Sequence, residues 1–171
     1  LNGQAYGDDL DRQMPVEECG NMLLMTAAAT AASNDDSFAA EHWGLLTKWA
    51  EYLRDSGLDP ENQLCTDDFA GHLAHNCNLS IKAILGVAAY GLLLSRRGEK
   101  ELCTQWLSAA RDMAATWVDM AQNSDGTYRL AFDQAGTFSL KYNAVWDRLL
   151  GLSVFPTGTW DKELESYLKR S

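Results

Sequence analysis

Apolar residues along this chain recur at helical spacing, and they do so in two styles. Two predicted helices, over 17–33 and 76–95, are apolar on almost every face, from Met22 to Ala32 and from Leu79 to Leu94. Others carry one apolar stripe and one wet face. The helix over 37–56 aligns Phe38, Leu45, Leu46, Trp49 and Leu53; that over 99–122 aligns Leu102, Trp106, Ala110, Met113, Trp117 and Met120. A last amphipathic helix begins near Trp160 and is expected to bury Leu164, Tyr167 and Leu168. A fifth helix over 139–151 fits less well, because Lys141, Asn143, Asp147 and Arg148 interrupt its apolar surface. Pro15 with Glu17 and Glu18 suits a helix start, Ser37 and Ser139 suit N-caps, and Gly57, Gly98 and Gly151 suit helix ends. Tyr128 to Phe132 reads as a short strand.

A helix apolar all round must be covered on all sides. The pattern therefore predicts an all-α fold of consecutive αα-hairpins, part of an α/α toroid, with odd helices inside and even helices outside. Connections from inner to outer helices are short (33–37, 95–98, 152–159), while those returning inward are long (57–75, 123–138). Long ordered connections in compact domains usually serve function. These segments, with 1–16, fall at one rim, beside the N-terminal ends of the inner helices, where free N–H groups suit carboxylates and oxyanions. Three hairpins make an arc. It packs on itself, pairs with another copy as a homo-oligomer through its exposed edges, or is completed by the remainder of a longer parent chain.

The 171 residues suit a single helical domain over 1–171, and 46 % hydrophobic with 22 % charged residues is an ordinary globular balance. A net charge of −10 argues against nucleic acid and against an anionic membrane surface as partners. The apolar run from Ile84 to Leu94 is shorter than the ~20 residues a bilayer needs. Cys19, Cys65, Cys77 and Cys103 are widely spaced with no CxxC, so small buried thiols are expected, with a Cys65–Cys77 disulfide as the alternative.

Three clusters carry candidate chemistry. Met14 to Asn21 holds adjacent carboxylates, Glu17 and Glu18, of which one can enter a cleft as acid or base while the other caps or pairs. Cys65 to Asn76 is the densest: Asp67, Asp68, His72, His75 and Asn76, with Asp68, His72 and His75 near one another if the segment forms a helical turn. That set lacks an HExxH signature, so a metal-free polar site is favoured and no cofactor is implied. In the third, Phe132 to Asn143, Lys141 and Tyr142 occupy positions where the pattern asks for apolar side chains. A buried lysine needs a partner; Asp133 or a first-cluster glutamate is the expected one. Asn123 to Thr127 lacks the terminal glutamate of a calcium loop and reads as a plain turn. Trp43, Trp49, Trp106 and Trp117 read as packing residues.

Three stretches, MPVEECGNMLLM at 14–25, NQLCTDDFAGHLAHNCNLSIKAILGVAAY at 62–90 and GTFSLKYNAVWDRLLGL at 136–152, resemble the glutaminase A family of fungi and bacteria. The resemblance runs through nearly the whole chain. It implies a portion of a six-hairpin αα domain, similar in architecture to toroidal glycosidases, from a larger secreted or envelope-associated protein. The implied reaction is hydrolysis of L-glutamine to L-glutamate and ammonia. The resemblance brings no catalytic set with it. From the rim argument, Glu17 or Glu18 is assigned as acid/base and Asp67 or Asp68 as the second carboxylate. His72, His75, Asn76, Lys141 and Tyr142 are assigned to orient a small-molecule or glycan substrate. Paired carboxylates equally suit a glycoside hydrolase, and a non-catalytic helical scaffold is the third reading.

Overall fold

A computed structural model describes residues 13–65 and 72–170. Asp67 and Asp68 lie outside the described residues. The elements in order are α1 (Pro15–Ser33), α2 (Ser37–Glu41), α3 (Trp43–Ser56), α4 (Cys77–Arg96), α5 (Lys100–Ala121), a 3-10 turn (Tyr142–Ala144), α6 (Val145–Leu149) and α7 (Asp161–Arg170). No strand forms among the described residues; Tyr128 to Phe132 bends at Leu130 and makes only isolated bridges, Gln122 with Tyr128 and Asn76 with Ala131.

The fold is built around α4. All of its residues except Leu92, Ser95 and Arg96 are buried, as its unbroken apolarity demands. It is long and apolar enough to cross a bilayer, more so than the run Ile84–Leu94 suggests, but 94 % of its most apolar window is buried inside the protein. A core helix passes the same test. Helix α1 packs along one side of α4, α5 along another, α3 lies against both α1 and α4, and the 3-10 turn meets α4 near its start.

Covering of α1 is incomplete. Leu23, Leu24, Ala27 and Thr30 are buried, yet Met25 is 60 % exposed and Ala29, Ala31 and Ala32 face solvent. The stripes of the amphipathic helices are narrower than the sequence suggests: Leu46, Trp49 and Leu53 are buried, whereas Phe38, Leu45 and Leu102 are exposed. The expectation for the last helix holds only for Tyr167, which is half-buried against Phe138. Leu164 and Leu168 of α7 are 58 % and 69 % exposed, while Glu163 is 1 % exposed.

Other departures are local. The helix expected over 37–56 breaks at His42, two residues before Gly44, a residue of weak helix propensity at which an added Cβ would meet nothing within 4 Å. Ser37 is not the cap but the first residue of α2, its amide donating to Asp35 Oδ1 (2.9 Å). The fifth helix begins at Tyr142, not at Ser139, because the Ser139 carbonyl accepts from Lys141 Nζ (2.9 Å) and stays out of a helical ladder. Gly57 ends α3 as expected, and a Cβ there would sit 2.5 Å from Ala83 Cβ, so α3 and α4 approach closely where it stands.

Tryptophans pack as expected. Trp117 is fully buried against Tyr128, Phe155 and Trp160, and its indole donates to the Cys77 carbonyl (2.9 Å). Trp43 stacks on Tyr90 beneath the Arg97 guanidinium. Asn123 to Thr127 is a turn with Gly126 at φ +82° and Asp125 Oδ1 accepting from the Thr127 amide.

Candidate functional site at the start of the central helix

Four segments distant in sequence are tied around the N-terminal end of α4. The His75 amide donates to the Pro60 carbonyl (2.8 Å), the Cys77 amide to Leu130 (2.9 Å) and the Phe132 amide to His75 (2.9 Å). Asn143 bonds twice to Asn78, through its amide N–H (3.2 Å) and its side-chain Nδ2 (2.9 Å). Gln63 Oε1 accepts from the Val16 amide (3.0 Å), which fastens the start of α1 to the 57–65 connection. The charges gather here too: Asp59, Asp133, Arg129 and Lys141 all act on the Cys77 thiol, although burial dominates and pushes it up to about 12.

The assigned residues fare differently. Glu17 is 3 % exposed and forms an ion pair with Lys82, itself 4 % exposed, while the Asn21 amide lies 3.4 Å from the same carboxylate oxygen. Gly20 permits this pair, because a Cβ there would come 2.7 Å from Lys82 Cγ. Glu18, next along the helix, is half-buried. Lys82 was hidden in the sequence by the apolar run around it. The usable signal was the rule that a cation in such a run needs an acid, with Glu17 and Glu18 waiting at a helix start.

The segment 72–76 is a bend and turn, so the helical-turn juxtaposition of His72 with His75 does not form. His72 is exposed. Asn76 is fully buried and its side chain is spent locally: Oδ1 caps α4 by accepting from the Leu79 amide (3.0 Å), and Nδ2 faces Cys65 Sγ (3.5 Å). His75 holds a left-handed backbone at φ +61°, uncommon outside glycine. Its Nδ1 meets Asp59 Oδ1 at 2.7 Å, and both side chains are partly open to solvent. The hydrogen bond to Asp59, then the carboxylate charge itself, raises the imidazole above its ordinary value, with Asp133 adding to the effect. Asp59 is a residue the sequence reading did not single out; its place just before Pro60 in a long connection was the available hint.

Lys141 is 4 % exposed, and its ammonium donates to the Tyr128 carbonyl (3.0 Å), the Ser139 carbonyl (2.9 Å) and Ser139 Oγ (3.1 Å). Three oxygens replace much of the water it has lost. Tyr142 beside it is 42 % exposed. Several donors at the helix starts are already taken. Leu130 and Asn76 occupy the Cys77 and Leu79 donors of α4, and Gln63 occupies Val16 of α1. The expectation that free helix donors would hold an oxyanion therefore fails at these positions. No group of three or more metal-binding side chains occurs among the described residues. None of the four cysteines is in a disulfide, so the alternative Cys65–Cys77 bridge does not form.

What the geometry offers chemically is an aspartate-braced imidazole at a partly open rim, with further charge within electrostatic range. Comparison with known proteins places the whole chain in a family. A model of the glutaminase A six helical-hairpin domain matches residues 1–171. Glutaminase A of Aspergillus oryzae is 34 % identical over 168 residues, 96 % of this chain and 24 % of that protein. A protein of Arthroderma benhamiae named probable glutaminase is 28 % identical over 206 aligned positions, 87 % of this chain and 24 % of its own length. The chain thus spans about a quarter of each relative's length. No solved structure matches it. The chain is a member of the glutaminase A six helical-hairpin domain family.

Proposed function

We propose that this chain supplies part of an amidohydrolase site that converts L-glutamine to L-glutamate and ammonia, within hairpins arranged as part of an α/α toroid. The reading is supported by the family, by the names of its relatives and, above all, by the Asp59–His75 pair. Asp59 holds His75 Nδ1–H, leaving Nε2 as the basic nitrogen. Nε2 takes a proton from water as the water oxygen bonds to the amide carbon. It then returns that proton to the departing nitrogen as the C–N bond breaks, releasing ammonia. A raised imidazole is a stronger base than a free one and can still give its proton back, as a group that both takes and gives a proton must.

Glu18, Asp67 and Asp68 serve in this reading as further acid/base carboxylates, and His72 and Tyr142 orient substrate from exposed positions. Glu17, Asn76 and Lys141 are buried. Their part is to hold the rim in shape. Ammonia release from L-glutamine, compared with reducing-sugar release from glycans, tests the reading in the intact protein. His75→Ala is expected to lower glutamine turnover roughly 10²–10⁴-fold, the usual worth of a positioned acid–base group. Full turnover in that variant, or sugar release in place of ammonia release, would overturn the reading.

A further inference from the structure

The segment 129–133 is fastened alongside 75–77. The Cys77 amide donates to the Leu130 carbonyl and the Phe132 amide to the His75 carbonyl, both at 2.9 Å, with Asn76 bridged to Ala131 between them. Two opposite charges stand at the ends of this clasp, Arg129 and Asp133. Arg129 Nη1 donates to the Phe132 carbonyl (2.7 Å), the oxygen of the peptide that joins Phe132 to Asp133. The guanidinium thus lies against the backbone from which the Asp133 carboxylate springs, yet the two form no ion pair. Arg129 is half-buried and pairs with no carboxylate among the described residues, in a chain of 24 acidic and 14 basic side chains. Its Nε is enclosed without an acceptor, so Nη2 is the arm left for a ligand. Asp133 is exposed, and no described residue donates to it.

Both charges belong to the rim that carries His75. Asp133 acts on the imidazole, and Arg129 and Asp133 both act on the Cys77 thiol two residues along. Neither is occupied in bracing His75, because Asp59 already holds Nδ1 at 2.7 Å. A half-buried guanidinium loses solvation that one carbonyl returns only in part. Its planar fork suits a carboxylate better than any other group. An exposed carboxylate that leaves this neighbour alone suits an ammonium. L-Glutamine carries one carboxylate and one ammonium on a single carbon, with its amide three carbon–carbon bonds away. The clasp offers the complementary pair of charges, and the imidazole stands beside them.

We infer that Arg129 and Asp133 recognise the two charges of the free amino acid, Arg129 Nη2 donating to its α-carboxylate and Asp133 accepting from its α-ammonium. The inference rests on the reading of His75 as the acid–base group for glutamine. It makes both residues specificity determinants and gives neither a part in moving the proton. The test is calorimetric binding in His75→Asn, which cannot relay the proton and whose asparagine tolerates the left-handed backbone. The ligands are L-glutamine, glutaramate, which keeps only the carboxylate, and 4-aminobutanamide, which keeps only the ammonium. Glutamine should bind at least tenfold tighter than either. Adding Arg129→Met should weaken glutamine and glutaramate at least tenfold and leave 4-aminobutanamide within twofold. Adding Asp133→Asn should weaken glutamine and 4-aminobutanamide and spare glutaramate; at its exposed position it decides the matter even if Arg129→Met proves unfolded. Ammonia release from L-glutamine by the protein with His75 intact reports separately on the catalytic reading. Selective binding without ammonia release overturns that reading alone. Ammonia release with no binding of glutamine, or with equal effects of each variant on all three ligands, overturns the inference alone.

Discussion

Replacing Lys82 by methionine removes the cation that faces Glu17 in the seam between α1 and α4. Methionine has nearly the same length, so the perturbation is electrical more than steric. Glu17 is 3 % exposed, and the Asn21 amide, at 3.4 Å, is among the contacts it keeps. Breaking one partner of a buried pair generally costs about 3–5 kcal/mol, because the survivor is left charged out of water. Glu17 also sits in the first turn of α1, whose dipole offsets about 0.5–1 kcal/mol of that. The expected loss is therefore about 3 kcal/mol. For an m-value of about 2 kcal/mol/M, the urea midpoint should fall by about 1.5 M. The double variant Glu17→Gln/Lys82→Met has no buried charge left and should recover to within about 1 kcal/mol of the starting protein. Urea unfolding followed by tryptophan fluorescence measures all four corners of the cycle. A loss below about 1 kcal/mol for Lys82→Met, or no recovery in the double variant, would refute the view that Lys82 is the main counter-charge of Glu17.

The other predictions concern single positions. Gly20→Ala should destabilise by about 1–3 kcal/mol, because its Cβ meets the Lys82 stem at 2.7 Å, whereas Gly44→Ala in α3 meets nothing and should stabilise by about 0.5–1 kcal/mol; thermal unfolding distinguishes the two. Asp59→Asn should return His75 toward its ordinary value of 6.5, seen in the imidazole proton shifts. Because the folded value is raised, the native pair contributes stability that is whole below about pH 6.5 and disappears as pH climbs through the folded value; Asp59→Asn should remove most of that dependence and leave the smaller part due to Asp133. Burial holds the Cys19 and Cys77 thiols up at about 11 and about 12, so both should resist a thiol reagent in the native state while half-buried Cys103 reacts first. Equal labelling rates would contradict this.

Periodicity exposed the helices because burial is a property of whole faces, and α4 shows it most clearly: a helix apolar all round is indeed the one that α1, α3, α5 and the 3-10 turn cover. It failed where a single polar contact decides the outcome. Ser139 looks like a cap in isolation, but Lys141 claims its carbonyl, and nothing within 139–151 reveals that the lysine is turned toward Tyr128. In α7 the leucine stripe suggested the buried side, yet Glu163 is drawn inward by the Tyr128 amide, a partner 35 residues earlier. The candidate site divides in the same way. His75 and the polar rim were visible as residue types at helix starts. The choice of Asp59 as its brace was not, because the contact depends on how the 57–65 connection folds back over Pro60.

The clasp at Cys77 has a bearing on assembly. Its amide proton is held by Leu130, 53 positions later, so the first turn of α4 stays unfinished until α5 and the segment after it have docked. Loop closure over such a span is slow compared with winding a helix. Native-state hydrogen exchange at this one amide should therefore report complete docking rather than helix formation, slowing together with Phe132 and lagging behind the middle of α4 during refolding.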